Sequence, residues 1–381
     1  MGTRFLELLI SVSEKAANIA RVIRQDEHLF KLLVQEKKST EKNPRFVQDF
    51  KTLADVLIQE TVKHDVGKRF PDLAEHILGE ESNSFCNILG ETITVQVQES
   101  ESETAELLSR VLGGDMLAAE VLAAEVHRDL NAEELALEKD LPQMNLPLDG
   151  CGMWIDPIDS TAEYISGEEV RTVGDICQSG LRCVTVLIGV FDRTSGIPIL
   201  GIINQPFHTL QDTKWQGICH WGVKFENICQ FSKSLPQKSQ HRTSKRVVLS
   251  SSESEELKSR LSSAGYTIAE ASGAGYKQLC VACNDADVYV LSKGSTFRWD
   301  TCGPHAILKS LGGGIVTYNQ VLESTSPLDS HELCYSSDDT TYCNSNGLIA
   351  FRDRLVAEEL IQTLRQILMK RAENVILQNH S

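Results

Sequence analysis

Positive charge is what this 381-residue chain is short of: 37 Lys and Arg stand against 53 Asp and Glu, a formal net charge of −16. A surface of that sign repels nucleic-acid backbone, which argues against DNA or RNA as a partner. An anionic ligand would need bridging cations, and the surplus carboxylates are where cations would sit. No apolar run approaches the roughly 20 residues needed to span a bilayer. The N-terminal "MGTRFLELLISVSEKAANIARVIR" has acidic residues and apolar positions at helical spacing, unlike a signal or transit peptide. No membrane association and a cytoplasmic location are therefore expected. A disulfide framework is also lacking: eleven cysteines, an odd number, are scattered along the chain, as suits reduced thiols in the cytosol. Cys280 and Cys283 have CxxC spacing with no second Cys pair or His pair at zinc-finger distance. A packed helix face is the favoured reading there, over redox or metal chemistry.

What remains is an ordinary soluble composition, 41% hydrophobic and 24% charged, with no repeat and no low-complexity block. The length allows two domains, or one large domain with two sub-cores. Helical apolar spacing runs through Phe5, Leu8, Leu9, Val12, Ala16, Ile19 and Val22, and a second helix is read in "FKTLADVLIQETVKHDVGKRF". "GETITVQVQ" alternates like a half-buried strand, and two acidic helical segments follow, interrupted at Gly113-Gly114. From "RCVTVLIGVFD" to "WQGICHWGVKF" the chain reads as strands, and from about residue 247 strands alternate with helices. The first half thus resembles α+β and the second α/β. The expected division is 1–190 and 191–381. Surface loops are expected at 232–245 and 323–346.

One stretch stands out, "GMWIDPIDSTAEYI" at 152–165. Pro157 lacks an amide hydrogen and disfavours helix before it, so Asp156 is expected to end an extended segment. Asp159 and Ser160 are good N-cap types for a helix starting in "STAEYI". Such a turn can project both carboxylates to one side with the Ile158 carbonyl between them, which suits a hard cation such as Mg²⁺. The Ser160 and Thr161 amides at the helix start suit an anion. Metal ligands beside an anion cradle fit hydrolysis of a phosphate ester. Taken alone, the motif reads equally well as an Asx/Pro turn with a helix cap. Further acids occur at Glu80-Glu81 after a glycine, at Asp300 after Trp299, and at Asp55 on the second helix.

In the order Asp55, Glu80-Glu81, Asp156-Pro-Ile-Asp159-Ser-Thr161, Trp299-Asp300, these acids resemble the motifs of the lithium-sensitive, Mg²⁺-dependent phosphomonoesterases. That superfamily comprises inositol monophosphatase, bisphosphate nucleotidase and fructose-1,6-bisphosphatase, and the resemblance covers nearly the whole chain. "WIDPIDSTAEYI", "SGAGYKQLCV" and "HAILKSLGGGIV" are most similar to its inositol polyphosphate 1-phosphatase branch; Ser160 stands where the monophosphatases and nucleotidases usually have Gly.

The resemblance implies a layered αβαβα sandwich, with an α+β half against an α/β half and the metal site between them. It implies two or three Mg²⁺ per site, held by Asp55, Glu80, Asp156, Asp159, Asp300 and the Ile158 carbonyl, with Glu81 supporting them. Thr161 and Asp55, assisted by Glu80, match the groups that orient or deprotonate the attacking water. Asp159 and the amides of Ser160 and Thr161 would contact the scissile phosphate. Ser251, Ser252, Gly273, Ala274 and Lys277 would admit the inositol ring and pair with the non-scissile phosphate. Ser254 departs from a basic residue in relatives, so Arg298 or Lys293 could serve the distal phosphate. Gly303-Pro304 is a further departure, expected in a first helical turn where proline is tolerated. The implied activity is lithium-inhibited removal of the 1-phosphate from inositol 1,4-bisphosphate and inositol 1,3,4-trisphosphate by a monomer. The alternatives are a nucleotidase acting on 3′-phosphoadenosine 5′-phosphate and a non-catalytic sensor of metal or inositol phosphates.

Overall fold

The computed structural model describes residues 2–379 apart from 26–29, 31, 32, 38–49, 88, 132, 136, 172, 175, 238–244 and 337–340. Parts of both expected loops, 238–244 and 337–340, therefore lie outside the described residues.

The apolar stripe from Phe5 to Ile23 falls on the helix Gly2–Gln25, and with the helix Leu53–Arg69 it covers one face of a six-stranded sheet. In spatial order that sheet runs Ile228–Phe231, Lys214–Phe225, Pro198–Gln211, Thr185–Asp192, Cys151–Asp159 and Ile77–Gly79. Neighbours are antiparallel except the last pair, which is parallel. The central strands are buried on both faces, so they read as continuous apolar runs instead of alternating. Strands from both sides of residue 190 share this sheet, and the chain passes to the second sheet between Phe231 and Arg246.

The second sheet has the order Thr267–Glu270, Arg246–Leu249, Val288–Leu291, Leu348–Phe351, Gly314–Thr317. Its first three strands are parallel, as the alternation of strand and helix predicts, and its last two pairings are antiparallel. Between the sheets lie the helices Ala274–Ala282 and Arg298–Ser310, with Leu187 and Ile203 of one sheet and Val248, Tyr289 and Ala350 of the other in one core with Leu279 and Ile307. The helices Glu255–Ser263 and Arg354–Asn379 cover the outer face of the second sheet. The layers are helix, sheet, helix, sheet, helix, the expected sandwich.

Helix Arg298–Ser310 seats backbone against backbone on the six-stranded sheet. A Cβ on Gly303 would stand 2.6 Å from the Ile188 carbonyl oxygen, and one on Gly201 1.9 Å from the Gly303 carbonyl oxygen. That approach explains Gly303. Pro304 falls elsewhere than expected: the helix begins at Arg298, so the proline sits in its second turn. The eleven cysteines are free thiols, and Cys280 is packed in the inter-sheet core. No helix among the described residues is long and apolar enough to cross a membrane.

Candidate active site

Residues three apart on a regular strand face opposite sides of its sheet. Asp156 and Asp159 escape that rule through a bulge. Asp156 pairs with Leu187 and Asp159 with Thr185, so three steps on one strand match two on the other. The extra residue lies at Pro157-Ile158, where the missing proline amide costs no ladder bond. The strand thus continues to Asp159 instead of ending at Asp156, and both carboxylates reach one side. The cap of the next helix, Thr161–Ser166, is Ser160 alone, left-handed at φ 75° and ψ 49°, and its side chain makes no capping bond. That backbone costs a serine ~1 kcal/mol that glycine would not incur.

Asp55 and Asp300 arrive by a different device, shared between them. Each is the third residue of a helix and closes back on the residue before it. Asp55 Oδ2 accepts from the Thr52 amide and hydroxyl, both at 2.6 Å, and Asp300 Oδ2 accepts from the Phe297 amide at 2.5 Å. One carboxylate oxygen anchors the helix start, and the other is left for the site.

Asp156, Asp159 and Asp300 converge, with one oxygen of each lying within 4.8 Å of the other two. All three are buried. Asp159 is held by the amides of Ala274 and Gly275, at 3.1 and 2.8 Å, and by the Thr185 hydroxyl at 3.1 Å. Asp156 Oδ1 has no hydrogen-bond partner. Burial, and then Glu80, Asp159 and Asp300, push the Asp156 carboxyl far above the usual range. Asp300 is raised by burial and by Asp159 and Glu80. Asp159 is raised by burial, against the pull of Lys277 and its three donors. Buried carboxylates this close, one with an orphaned oxygen, are a hard-oxygen donor set that fits a divalent cation.

Beside this trio stand Glu80, Glu81 and Asp55. Glu80 and Glu81 follow the strand Ile77–Gly79, and both pair with Lys37 Nζ, at 2.6 and 2.5 Å. Gln59, one turn after Asp55 on the same helix, grips the Glu81 backbone at both ends: its Oε1 accepts from the Glu81 amide at 2.9 Å and its Nε2 donates to the Glu81 carbonyl at 2.5 Å. Gly79 is required there, because a Cβ would lie 2.0 Å from Gln59 Oε1. Burial and the Glu80 charge raise Glu81 to about 8, and burial raises Asp55 to about 6 despite the Thr52 bonds and Lys37. The Thr161 hydroxyl lies 3.4 Å from Asp55 Oδ1 and 3.2 Å from the Ile158 carbonyl oxygen.

On the second-sheet side, Gly273 caps the helix Ala274–Ala282, whose first amides hold Asp159. Lys277 is buried, donating to the carbonyls of Ala271 and Gly273 at 3.1 and 2.6 Å, with its ammonium 5.3 Å from the Tyr289 ring. Burial lowers its pKa, against the pull of Asp159. Ser251 and Ser252 are exposed after the strand Arg246–Leu249, and no hydrogen bond joins them to the carboxylates; Lys293 donates to the Ser252 carbonyl. The Ser254 hydroxyl is spent as a helix cap, accepting from the Leu257 amide. The Arg298 guanidinium is buried against the Tyr342 ring.

Lys37, Gln59, Thr52, Thr185 and Gln278, whose Nε2 donates to the Asp300 carbonyl at 2.9 Å, also touch the site acids and were not expected from the sequence. For Gln59 the four-residue spacing from Asp55 was a usable signal, and for Thr52 the three-residue spacing of a capping box. For Lys37, Thr185 and Gln278 no local pattern exists.

The inositol monophosphatase family description matches residues 6–369. The chain is 44% identical over 390 residues to the Mus musculus inositol polyphosphate 1-phosphatase, spanning 96% of this chain and 98% of that one. To the Homo sapiens inositol polyphosphate 1-phosphatase it is 43% identical, over 95% and 97% of the two chains. The Mus musculus 3′(2′),5′-bisphosphate nucleotidase 1 is more distant, 27% identical over 81% of this chain and 82% of that one. Among solved structures, the Thermotoga maritima IMPase aligns with a TM-score of 0.53 at 12% identity, covering 96% and 99% of the chains. An IMPase/NADP phosphatase complexed with Mg²⁺ and phosphate aligns with 0.52 at 13% identity, covering 96% of each.

Proposed function

The chain belongs to the inositol monophosphatase family and is a phosphoric monoester hydrolase, and from that premise we propose that it is a Mg²⁺-dependent, lithium-inhibited phosphatase removing the 1-phosphate from inositol 1,4-bisphosphate and inositol 1,3,4-trisphosphate. The convergence of Asp156, Asp159 and Asp300 carries the reading. It is a site that burial and mutual repulsion make costly unless a cation is bound.

In this reading Asp156, Asp159, Asp300 and the Ile158 carbonyl hold the cations, with Asp55 and Glu80 completing the set and Glu81 supporting Glu80. Bound divalent cations would neutralise the phosphoryl oxygens and make water a stronger nucleophile. The Thr161 hydroxyl donates toward Asp55 Oδ1, which leaves its own lone pairs to orient a water proton. Asp55, whose Oδ1 lies 3.4 Å from that hydroxyl, would receive the proton through it. The Ser160 and Thr161 amides and Asp159 face the scissile phosphate. Gly273, Ala274 and Lys277, with Ser251 and Ser252 at the neighbouring strand end, form the inositol side. A monomer acting on a small soluble substrate, in the cytoplasm, completes the proposal.

Phosphate release with Mg²⁺, measured side by side on inositol 1,4-bisphosphate and adenosine 3′,5′-bisphosphate, should favour the inositol strongly. Preference for the nucleotide would keep the metal chemistry and overturn the substrate. No release from either would favour a non-catalytic binder.

The raised carboxylates also set a pH dependence. In the cation-free protein Asp55 and Glu81 stay protonated up to about 6 and about 8. A raised folded pKa contributes stability that is complete below the ordinary carboxylate range and is lost as pH rises through those values. Cation binding requires the ionised forms and gains with the same rise. The increase in melting temperature produced by Mg²⁺ should therefore be larger at pH 8 than at pH 5.5, and an equal or reversed increase would contradict a buried-carboxylate cation site.

A further inference from the structure

Pro304 sits at the seventh position of the helix Arg298–Ser310. A residue there would normally donate its amide to the carbonyl four residues back, which is that of Asp300. Proline has no such hydrogen, and its ring crowds that carbonyl. The Asp300 carbonyl is nevertheless satisfied, because Gln278 Nε2, wholly buried, donates to it at 2.9 Å. The other Nε2 hydrogen goes to the Ala274 carbonyl, also at 2.9 Å. Two carbonyl partners define which end of the amide is nitrogen, since the reverse orientation would face oxygen against oxygen. Gln278 Oε1 has no hydrogen-bond partner, so the side chain retains an unsatisfied acceptor while serving these two carbonyls.

Gln278 belongs to the helix Ala274–Ala282, whose first two amides hold Asp159. The same helix therefore grips two members of the carboxylate trio: Asp159 through the Ala274 and Gly275 amides, and Asp300 through the Gln278 side chain. We propose that Gln278 is a positioning residue for the cation site, replacing the backbone hydrogen bond that Pro304 removes and tying Asp300 to the helix that holds Asp159. This rests on the reading that Asp156, Asp159 and Asp300 hold a divalent cation. Carbonyl and carboxylate belong to one residue at a helix start, so a carbonyl left free to tilt moves the ligand with it. Neighbours that orient metal ligands typically govern affinity by about 10- to 100-fold.

A double-mutant cycle on the full chain tests the coupling. Gln278→Met keeps the volume and removes the donor; Pro304→Ala restores the backbone donor to the Asp300 carbonyl. Mg²⁺ affinity is read by calorimetry, and melting temperature is read separately in EDTA. Gln278→Met should weaken Mg²⁺ binding about tenfold or more, but by less than about threefold when Pro304→Ala is also present. Equal losses in the two backgrounds, or no loss, would overturn the proposal, as would coupling seen in melting with none in Mg²⁺ affinity. If Gln278→Met fails to fold, the Mg²⁺ affinity of the recovered double variant is compared with that of Pro304→Ala alone: a loss of less than about threefold supports the proposal, and a larger loss or no recovery overturns it. A wild-type chain that binds no Mg²⁺ would overturn the cation reading itself; the cycle in EDTA would still decide whether Gln278 substitutes for the missing amide.

Discussion

Asp156→Asn should lower turnover at saturating Mg²⁺ by about a thousandfold or more, while the cation-free protein melts a few degrees higher than wild type. The first effect follows from losing a charged ligand in a site where cations supply several kcal/mol of transition-state stabilisation. The second follows from burial. Asp156 Oδ1 has no hydrogen-bond partner, and the carboxyl is pushed far up by desolvation and by Glu80, Asp159 and Asp300. A neutral amide of the same shape avoids the cost of neutralising that carboxyl on folding and can donate to a neighbouring carboxylate. Few substitutions are expected to stabilise a protein while disabling it, so the pair of signs is diagnostic. Turnover near wild type would remove Asp156 from the cation site, and a lowered melting temperature in EDTA would show that its charge is compensated by something else.

Thr161→Val should reduce kcat by about 10²- to 10⁴-fold with little change in KM, the range for loss of a positioned proton-transfer group. Valine matches threonine in shape, so the helix Thr161–Ser166 and its contacts stay in place while the hydroxyl between Asp55 Oδ1 and the Ile158 carbonyl is lost. Thr161→Ser keeps the hydroxyl and should stay within about tenfold of wild type. If the valine variant instead raised KM and left kcat alone, Thr161 would be a binding residue and the proton path through Asp55 would have to be abandoned.

The acids of the candidate site are of the type cation chemistry needs, but each alone also reads as a turn or a surface acid, and only the resemblance grouped them into one site. The α/β character of the second half was readable from strands that alternate with helices after residue 247, and the first helix from the apolar stripe of Gly2–Gln25; the layered sandwich itself came from the resemblance. The meeting of Asp156 and Asp159 on one face was only partly readable. "DPID" marks a disturbance, but an end of strand and a bulge look alike in one dimension, and only pairing with Leu187 and Thr185 distinguishes them. Pro304 shows the same limit. Its place in the helix depends on where the helix begins, and the cap at Phe297 has no sequence signature. The reading of Lys277 as an arm for phosphate meets an ammonium already engaged by two backbone carbonyls.

Composition and local pattern thus determined which pieces were at hand: a net-negative chain, acids at Asp55, Glu80-Glu81 and Asp300, and the segment 152–165 carrying Asp156, Asp159 and Thr161. Tertiary structure decided how those pieces are held. Lys37 between Glu80 and Glu81, Gln59 on the Glu81 backbone and Gln278 beneath Asp300 each satisfy a polar group that the fold has buried. Which polar groups become buried depends on how two sheets and the helices between them close on one another. A residue that answers such a need can come from anywhere in the chain: Gln59 lies one turn from Asp55 and could be noticed, but Lys37 and Gln278 leave no mark in the local sequence.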